Sequence, residues 1–452
     1  MKKSTIRIAV TLAALTVSIV LTGCTAANLS TASPASAASN GHVIKGIVHG
    51  GQQPVTGANL YLYAAGNTGY GSAATSLLDP TVAGVLTDGN SNGYIQTDGN
   101  GNFNMSGDYA TTNLPCPSGR ELYMVAYGGD PTPGVPNTGA VLMVMLGTCS
   151  QLESTSFIWM NERTTVAAAW AMAPFMSGPA NIGTSSGNAA GLVSASTMAI
   201  NLVNTATGSV GGAGLPAGAT LPSDKINALA DILAVCINSA SGSGNCNTLF
   251  TNATTGPTVT DTTTAAMYMA QNPGTNVHNL YGLLPGTPVF ATGLSSQPND
   301  WTLAVNFTGA GTAPAGIAVD SSGNLWLPNP STNMVTELSS AGAVVGSYAT
   351  GSGTTTPVAV AIDSSNNVWV ANAGNNTVAE LSNGSYTIAQ TCSSNGLNDP
   401  TGITLDNSSN VWVTDKGNSE ISVFTSTCGT LAGSPFSGNG LGSPIGIATT
   451  SH

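Results

Sequence analysis

One phrase is written three times in the C-terminal third of the chain, and it constrains the fold more than any other feature. The copies are Pro314-Ala-Gly-Ile-Ala-Val-Asp320-Ser-Ser-Gly-Asn-Leu-Trp326-Leu, Pro357-Val-Ala-Val-Ala-Ile-Asp363-Ser-Ser-Asn-Asn-Val-Trp369-Val and Pro400-Thr-Gly-Ile-Thr-Leu-Asp406-Asn-Ser-Ser-Asn-Val-Trp412-Val. The tryptophans are spaced by 43 residues, a period at which one repeat is a four-stranded propeller blade. Strands are expected over 316–319, 325–327, 335–338 and 343–348, with the equivalent segments in the later copies. A fourth phrase opens at Pro444-Ile-Gly-Ile-Ala. Propellers close with about four to eight blades, so three copies and one further strand leave the ring short. It could close as a small ring whose last blade joins 445–448 to 301–307, remain an open arc, be completed by another chain, or reflect a truncated reading frame. An incomplete propeller is the reading adopted.

These phrases resemble NHL repeats and the related streptogramin-lyase propellers over roughly 150 residues. The lyases of that group use a catalytic histidine and an acidic residue with magnesium. Here the only histidine of the repeat region is His452, so the resemblance implies the architecture without the general base.

The N-terminus has a basic start (Lys2, Lys3, Arg7), an apolar or small run from Ile8 to Leu21, and Leu21-Thr22-Gly23-Cys24. The run is short for a membrane span and reads as a secretory signal, residues 1–23. Its last four residues resemble a bacterial lipobox, which implies lipidation of Cys24 and a membrane partner through the lipid anchor. Thr25 in place of aspartate resembles cargo of the outer membrane. Residues 24–40, rich in Ala, Ser and Thr, read as a flexible tether.

Seven cysteines become six once Cys24 is set aside, and the six fall into sequence-local pairs: Cys116 with Cys149, Cys236 with Cys246, and Cys392 with Cys428. In an oxidising compartment these are expected as disulfides, although six cysteines permit 15 connectivities. The residues after Gly23 carry all 20 acidic groups and five basic ones, a net charge of −15. That balance excludes a nucleic-acid partner, which requires a basic footprint.

Between the tether and the repeats the texture changes twice. Residues 41–155 alternate with a strand period, at Val43–Val48, Gly57–Tyr63, Leu122–Tyr127 and Ala140–Leu146, and read as a β-sandwich. The order Gly46-Ile-Val, Gln53-Pro54-Val55-Thr-Gly57-Ala58 and Thr97-Asp98-Gly-Asn-Gly-Asn102-Phe103 resembles the carboxypeptidase regulatory-like, transthyretin-like sandwich, a module of spacers and adhesive units. Residues 156–300 read as a small helical domain. Its helices start after Asn161, at Ser223-Asp224 and after Asp261, with a short turn over Val277–Leu284. This region resembles a helical insert that precedes propeller repeats in exported bacterial proteins. The fold class is therefore multidomain and mainly β: a sandwich, a helical domain and an incomplete NHL-like propeller over 301–452, with Trp301–Phe307 as an outer strand lacking its blade.

Candidate chemistry is sparse. Asp320, Asp363 and Asp406 recur at one position, where a ring of carboxylates could hold a metal or each could simply form a turn. Asp88-Gly-Asn90-Ser-Asn92-Gly93 matches the start of a calcium loop, but Gly99 stands where the bidentate glutamate belongs. Calcium or magnesium is thus a weak expectation, and no cofactor is assigned. Two matches to a serine nucleophile elbow, around Ser91 and Ser185, are expected by chance in so Gly- and Ser-rich a chain. His278 reads as a packed or exposed residue. The expected function is non-catalytic binding or display at the cell envelope, toward a protein or glycan, with self-association completing the propeller. The alternative is a metal-assisted hydrolase or lyase at the propeller mouth.

Overall fold

The computed structural model describes residues 43–105, 119–155, 157–290, 294–309, 311, 313–393, 396–438 and 440–449. The signal segment, Cys24, the tether, Cys116 and His452 lie outside the described residues.

Ten strands and a one-turn helix form the first layers: β1 Ile44–Gly50, β2 Gln53–Pro54, β3 Asn59–Ala64, β4 Thr75–Ser76, β5 Leu86–Thr87, β6 Gly93–Gln96, β7 Asn102–Met105, β8 Leu122–Tyr127, β9 Val141–Gly147, α1 Cys149–Ser154 and β10 Ile158–Met160. A six-stranded sheet runs β5-β6-β3-β8-β9, with β4 also paired to β3. A smaller sheet centres on β1, which pairs antiparallel with β2 and β7 and parallel with β10. Alternation along β3 sends its two faces into different cores. Leu60 and Leu62 meet Val48, Phe103 and Ile158 of the smaller sheet, whereas Tyr61 and Tyr63 join Tyr123, Met143, Met172 and Met267.

Six further helices follow: α2 Glu162–Met172, α3 Ala189–Leu202, α4 Ser223–Ile237, α5 Gly244–Asn252, α6 Thr262–Gln271 and α7 Val277–Tyr281. The caps are as the sequence predicts. Asn161 accepts the Thr164 N–H and Asp261 accepts the Thr264 N–H, each satisfying a first-turn donor. Two small hairpins, β11 Met176–Gly178 with β12 Asn181–Ile182 and β13 Val203–Asn204 with β14 Ser209–Val210, lie among the helices. Residues from the smaller sheet and from α2, α4, α5 and α6 share one hydrophobic core, so the 41–155 and 156–300 segments are joined through common burial.

Trp301–Phe307 differs from its expectation. It forms no strand apart from a bridge between Asn306 and Thr220, and Trp301 is fully buried in the helical core. Trp170 Nε1 donates to the Trp301 carbonyl at 2.8 Å, and the Trp301 N–H donates to the Pro273 carbonyl at 2.9 Å. A strand-like segment next to the repeats carries no signal of which core takes its large side chain. It is therefore not available to complete a blade with residues 445–448.

The repeats form three antiparallel four-stranded sheets. Blade 1 is β15 Ala318–Val319, β16 Leu325–Asn329, β17 Met334–Leu338 and β18 Val344–Ala349. Blade 2 is β19 Pro357–Ile362, β20 Val368–Asn372, β21 Thr377–Leu381 and β22 Ile388–Cys392. Blade 3 is β23 Pro400–Leu405, β24 Val411–Asp415, β25 Glu420–Phe424 and β26 Phe436–Ser437. Trp326 and Val335 of blade 1 pack on Val360, Val368 and Val370 of blade 2, and Trp369 and Val378 of blade 2 pack on Ile403, Val411 and Val413 of blade 3. Residues 444–449 run beside β23, where Thr401 Oγ1 donates to the Pro444 carbonyl at 2.8 Å and Thr449 Oγ1 to the Leu405 carbonyl at 2.6 Å.

Cys236–Cys246 and Cys392–Cys428 are disulfides, with Cα–Cα distances of 4.4 and 5.1 Å. Cys149 is also disulfide-bonded, and its expected partner Cys116 lies outside the described residues. The Cys392–Cys428 bond ties the outer strand of blade 2 to the loop after β25 of blade 3, closing 36 residues of separation. Loop closure of that size constrains the unfolded chain by about 3–4 kcal/mol. Reduction is expected to lower the unfolding midpoint by that order, and a Cys392→Ala/Cys428→Ala chain as stable as the parent would contradict it.

Candidate functional site

Five turns in this protein share one construction: residues 88–92, 98–102, 320–324, 363–367 and 406–410, all reading Asp-x-x-x-Asn. In each, aspartate Oδ1 accepts the backbone N–H groups two and four residues later, at 2.8–2.9 Å. The aspartate N–H donates to the carbonyl of the final asparagine, and the N–H of the fourth residue returns to the aspartate carbonyl, both within 2.9–3.1 Å. The fourth residue takes positive φ: Ser91 +63°, Gly101 +73°, Gly323 +81°, Asn366 +62° and Ser409 +60°. This is a hairpin loop in which a type I turn is followed by a left-handed residue. Asx-type bonding explains why aspartate opens it.

The second carboxylate oxygen is also occupied. Asp320, Asp363 and Asp406 Oδ2 accept the indole Nε1–H of Trp326, Trp369 and Trp412, at 3.2, 3.2 and 2.9 Å. Asn367 and Asn410 donate their side-chain amides to the same atoms at 2.9 Å, as Asn92 does to Asp88 Oδ2 at 3.0 Å. Carboxylates saturated by three or four donors do not fit a calcium or magnesium site, which needs free oxygens at coordination distance. Asn92, a ligand in the calcium-loop reading, presents its donor rather than its oxygen. The structure thus brings Asp88, Asn90 and Asn92 together as a turn, and places Asp320, Asp363 and Asp406 in separate turns of separate blades. Ser91, of the first elbow match, is the left-handed turn residue. Ser185 precedes a short 3-10 helix, Ser186–Asn188.

The hydrogen bonds leave a titration signature. The N–H groups of Asn100 and Asn102 hold the Asp98 carboxyl below its ordinary value. At Asp406 partial burial pushes upward, but bonds from Trp412, Asn410 and Ser408 outweigh it and the net shift is downward. A depressed folded pKa adds stability that is full above about 3.8 and lost as pH falls through the folded value. Asp363→Ala is expected to cost about 1–3 kcal/mol, because it strands the indole N–H of Trp369 in a core where that residue is 1% exposed. Urea unfolding near neutral pH reads this out, and a neutral effect would refute the role assigned to the turn.

The sequence did not single out two carboxylates buried outside the propeller. Glu162, at the start of α2, accepts the Gly51 N–H on Oε1 at 2.6 Å, fastening the β1–β2 turn, while Oε2 has no partner among the described residues. Asp231 on α4 accepts the N–H groups of Val289 and Phe290 at 2.8 and 2.9 Å through one oxygen. Arg163 lies with its guanidinium carbon 4.4 Å from the Phe290 ring centroid and bonds Asn227 at 2.8 Å. Burial pushes Glu162 up to about 8, helped by the charge of Asp231 and opposed by the Gly51 bond and Arg163. Burial also raises Asp231, against its two N–H bonds. Their bonds run to neighbouring backbone, so both act as internal latches.

Among the histidines, His49 is partly buried with its ring 5.0 Å from that of Trp159, and burial lowers its pKa. His278 is exposed and pairs through Nδ1 with Gln297 Oε1 at 2.9 Å. No group of three or more His, Cys, Asp or Glu positioned to hold a metal occurs among the described residues.

A cleft of about 490 Å³ opens where α1, α3 and the β13–β14 hairpin approach the tip of the β17–β18 hairpin at Ala341. Phe157, Thr197, Asn201, Asn204 and Thr205 line it, and no lining residue is ionisable. Its parts come from residues 151–157, 197–214 and 341, a separation in sequence that no local motif could reveal.

Comparison with known proteins gives the architecture a name. The NHL repeat family matches residues 397–424, which span the end of the blade 2–blade 3 connection and most of blade 3. No curated protein sequence matches the chain. Among solved structures, a streptogramin B lyase is similar at 19% identity over 31% of this chain and 46% of that one, with a TM-score of 0.28. A Staphylococcus aureus virginiamycin B lyase with quinupristin gives 19% identity over 32% and 49%, TM-score 0.29. A Bacteroides caccae protein of unknown function gives 15% identity over 28% and 51%, TM-score 0.24. The chain spans about half the length of these structures. It is a mainly β protein carrying an NHL repeat within propeller-like blades.

Proposed function

We propose that this protein is an exported lipoprotein, anchored through lipidated Cys24 in the bacterial outer membrane, that presents a non-catalytic binding surface to a protein or glycan of the cell envelope. The observation that carries the non-catalytic reading is the consumption of the repeated aspartates by their own turns. Asp320, Asp363 and Asp406 hold backbone N–H groups and buried indoles, so a hydrolase or lyase at the propeller mouth would have neither a free carboxylate from these residues nor a metal held by them. The disulfides support an oxidising compartment. The lipobox-like Leu21-Thr22-Gly23-Cys24 supports the anchor, and dual or triple acylation would hold the chain firmly.

The blades also support self-association. Trp326 and Trp369 are covered by the following blade, whereas Trp412 is half-buried and, among the described residues, stacks on Phe436 alone, with ring centroids 5.9 Å apart. At the other flank Ile317 and Val319 are exposed. Repeat equivalence makes these two flanks complementary, and a second copy of the chain could dock there only by replacing residues 444–449, which already lie beside β23.

Expression of the full chain and of Cys24→Ser in a two-membrane bacterium tests the anchor. The parent is expected in the outer-membrane fraction and the variant in the soluble periplasmic fraction. A variant that stays with the membrane would overturn the lipid-anchor assignment.

A further inference from the structure

We propose that the cleft beside α3 is a binding subsite for a neutral sugar, a deepening that rests on the binding-module reading above. Its volume of about 490 Å³ falls within the range of small-ligand sites, roughly 300–1,000 Å³.

Asn201 decides the chemistry. It is 4% exposed and lines the cleft, and its side-chain amide has no hydrogen-bond partner among the described residues. A carboxamide has two donors and an acceptor, and those of Asn201 are left to whatever fills the cleft. The surroundings make space for it: Asn201 Oδ1 would lie 2.4 Å from a Cβ at Gly214, so any larger residue there would displace the amide. Asn204 and the hydroxyl-bearing Thr197 and Thr205 stand around the same space. Asn204 Oδ1 already accepts the Ala206 N–H at 2.9 Å, so the polar groups that a ligand would meet are the Asn201 amide and the two threonine hydroxyls, which a purely apolar ligand would not engage.

Charge decides the rest. With no ionisable side chain in the lining, a phosphate, carboxylate or ammonium would be desolvated without a counter-charge. A ligand rich in hydroxyls and free of charge meets both conditions. Phe157 adds an aromatic face at one end, and it continues on the same face of β10 into Trp159, with ring centroids 6.4 Å apart. Both rings are partly exposed, suited to the apolar C–H face of a pyranose. The row then meets His49.

Isothermal titration of the detergent-solubilised full chain with cellohexaose, maltohexaose, mannohexaose and hexa-N-acetylchitohexaose tests the assignment, with hexagalacturonate as the charged control. At least one neutral hexasaccharide is expected to bind, with hexagalacturonate at least tenfold weaker. Asn201→Ala is expected to weaken binding at least tenfold. Ala206→Trp, placed at an exposed rim position so that folding is spared, is expected to abolish it. Absence of binding by every neutral oligosaccharide, preference for the uronate, or unchanged binding in a folded Ala206→Trp chain would each overturn the subsite. None of these results bears on the envelope anchor, which the Cys24→Ser fractionation decides separately.

Discussion

Trp301→Ala is expected to destabilise the chain by about 3–5 kcal/mol, the range for deleting a large buried aromatic side chain. Trp301 is fully buried and packs into the core that joins the smaller sheet to the helices. Trp301→Phe separates packing from hydrogen bonding. The indole N–H of Trp301 has no acceptor among the described residues, so phenylalanine loses area but no bond, and a cost nearer 1–2 kcal/mol is expected. The bonds that pin this segment, to the Trp301 backbone from Trp170 and to Pro273, survive both substitutions. Equilibrium unfolding in urea measures both. Equal, small effects would place Trp301 in an outer strand of the propeller, as its position next to the repeats suggests, and not in the helical core.

The second large effect is a pH dependence set by Glu162. Its folded pKa of about 8 stands above the ordinary 4.5, so the neutral form is favoured by folding. The contribution to stability is full below about 4.5, declines as pH rises, and is gone above about 8. Each pKa unit corresponds to about 1.4 kcal/mol, so the loss across this interval is on the order of several kcal/mol. Asp231 on α4 and Arg163 on α2 face the same group, and the Gly51 N–H is its direct partner. Glu162→Gln keeps an acceptor for Gly51 and removes the titration. Unfolding midpoints at pH 5 and pH 8 should converge in this variant, with the larger gain at pH 8. A variant that retained the parent's slope would show that another group sets it.

Much of this architecture was legible because its causes are local. The blades follow from the 43-residue repeat, and their hairpins follow from Asp-x-x-x-Asn, whose hydrogen bonds lie within five residues. Helices α2 and α6 were legible through Asn161 and Asp261, which cap them as the sequence predicts. Helix α3 was missed because its buried stripe, Leu192, Ser196, Ala199, Asn201 and Leu202, mixes apolar with small and polar residues, while Val193, Met198 and Ile200 lie off it, so no clean helical period stands out. Trp301 was misplaced because its place beside the repeats is a local cue, whereas its burial depends on α2 and Pro273, far away in sequence. The calcium-like reading of Asp88, Asn90 and Asn92 failed for a related reason. A turn and a cation loop ask for the same residues, and only the direction of the Asn92 amide separates them. Glu162, Asp231 and the cleft were invisible for want of any local signature.

The most direct test of the central claim is metal analysis of the purified full chain after extensive dialysis against calcium- and magnesium-containing buffer followed by metal-free buffer. With the repeated aspartates committed to backbone and indole donors, substoichiometric calcium and magnesium are expected, unchanged in an Asp320→Asn/Asp363→Asn/Asp406→Asn chain. One or more tightly held ions per chain, lost in that triple variant, would contradict the non-catalytic reading and return the propeller mouth to consideration as a metal-assisted active site.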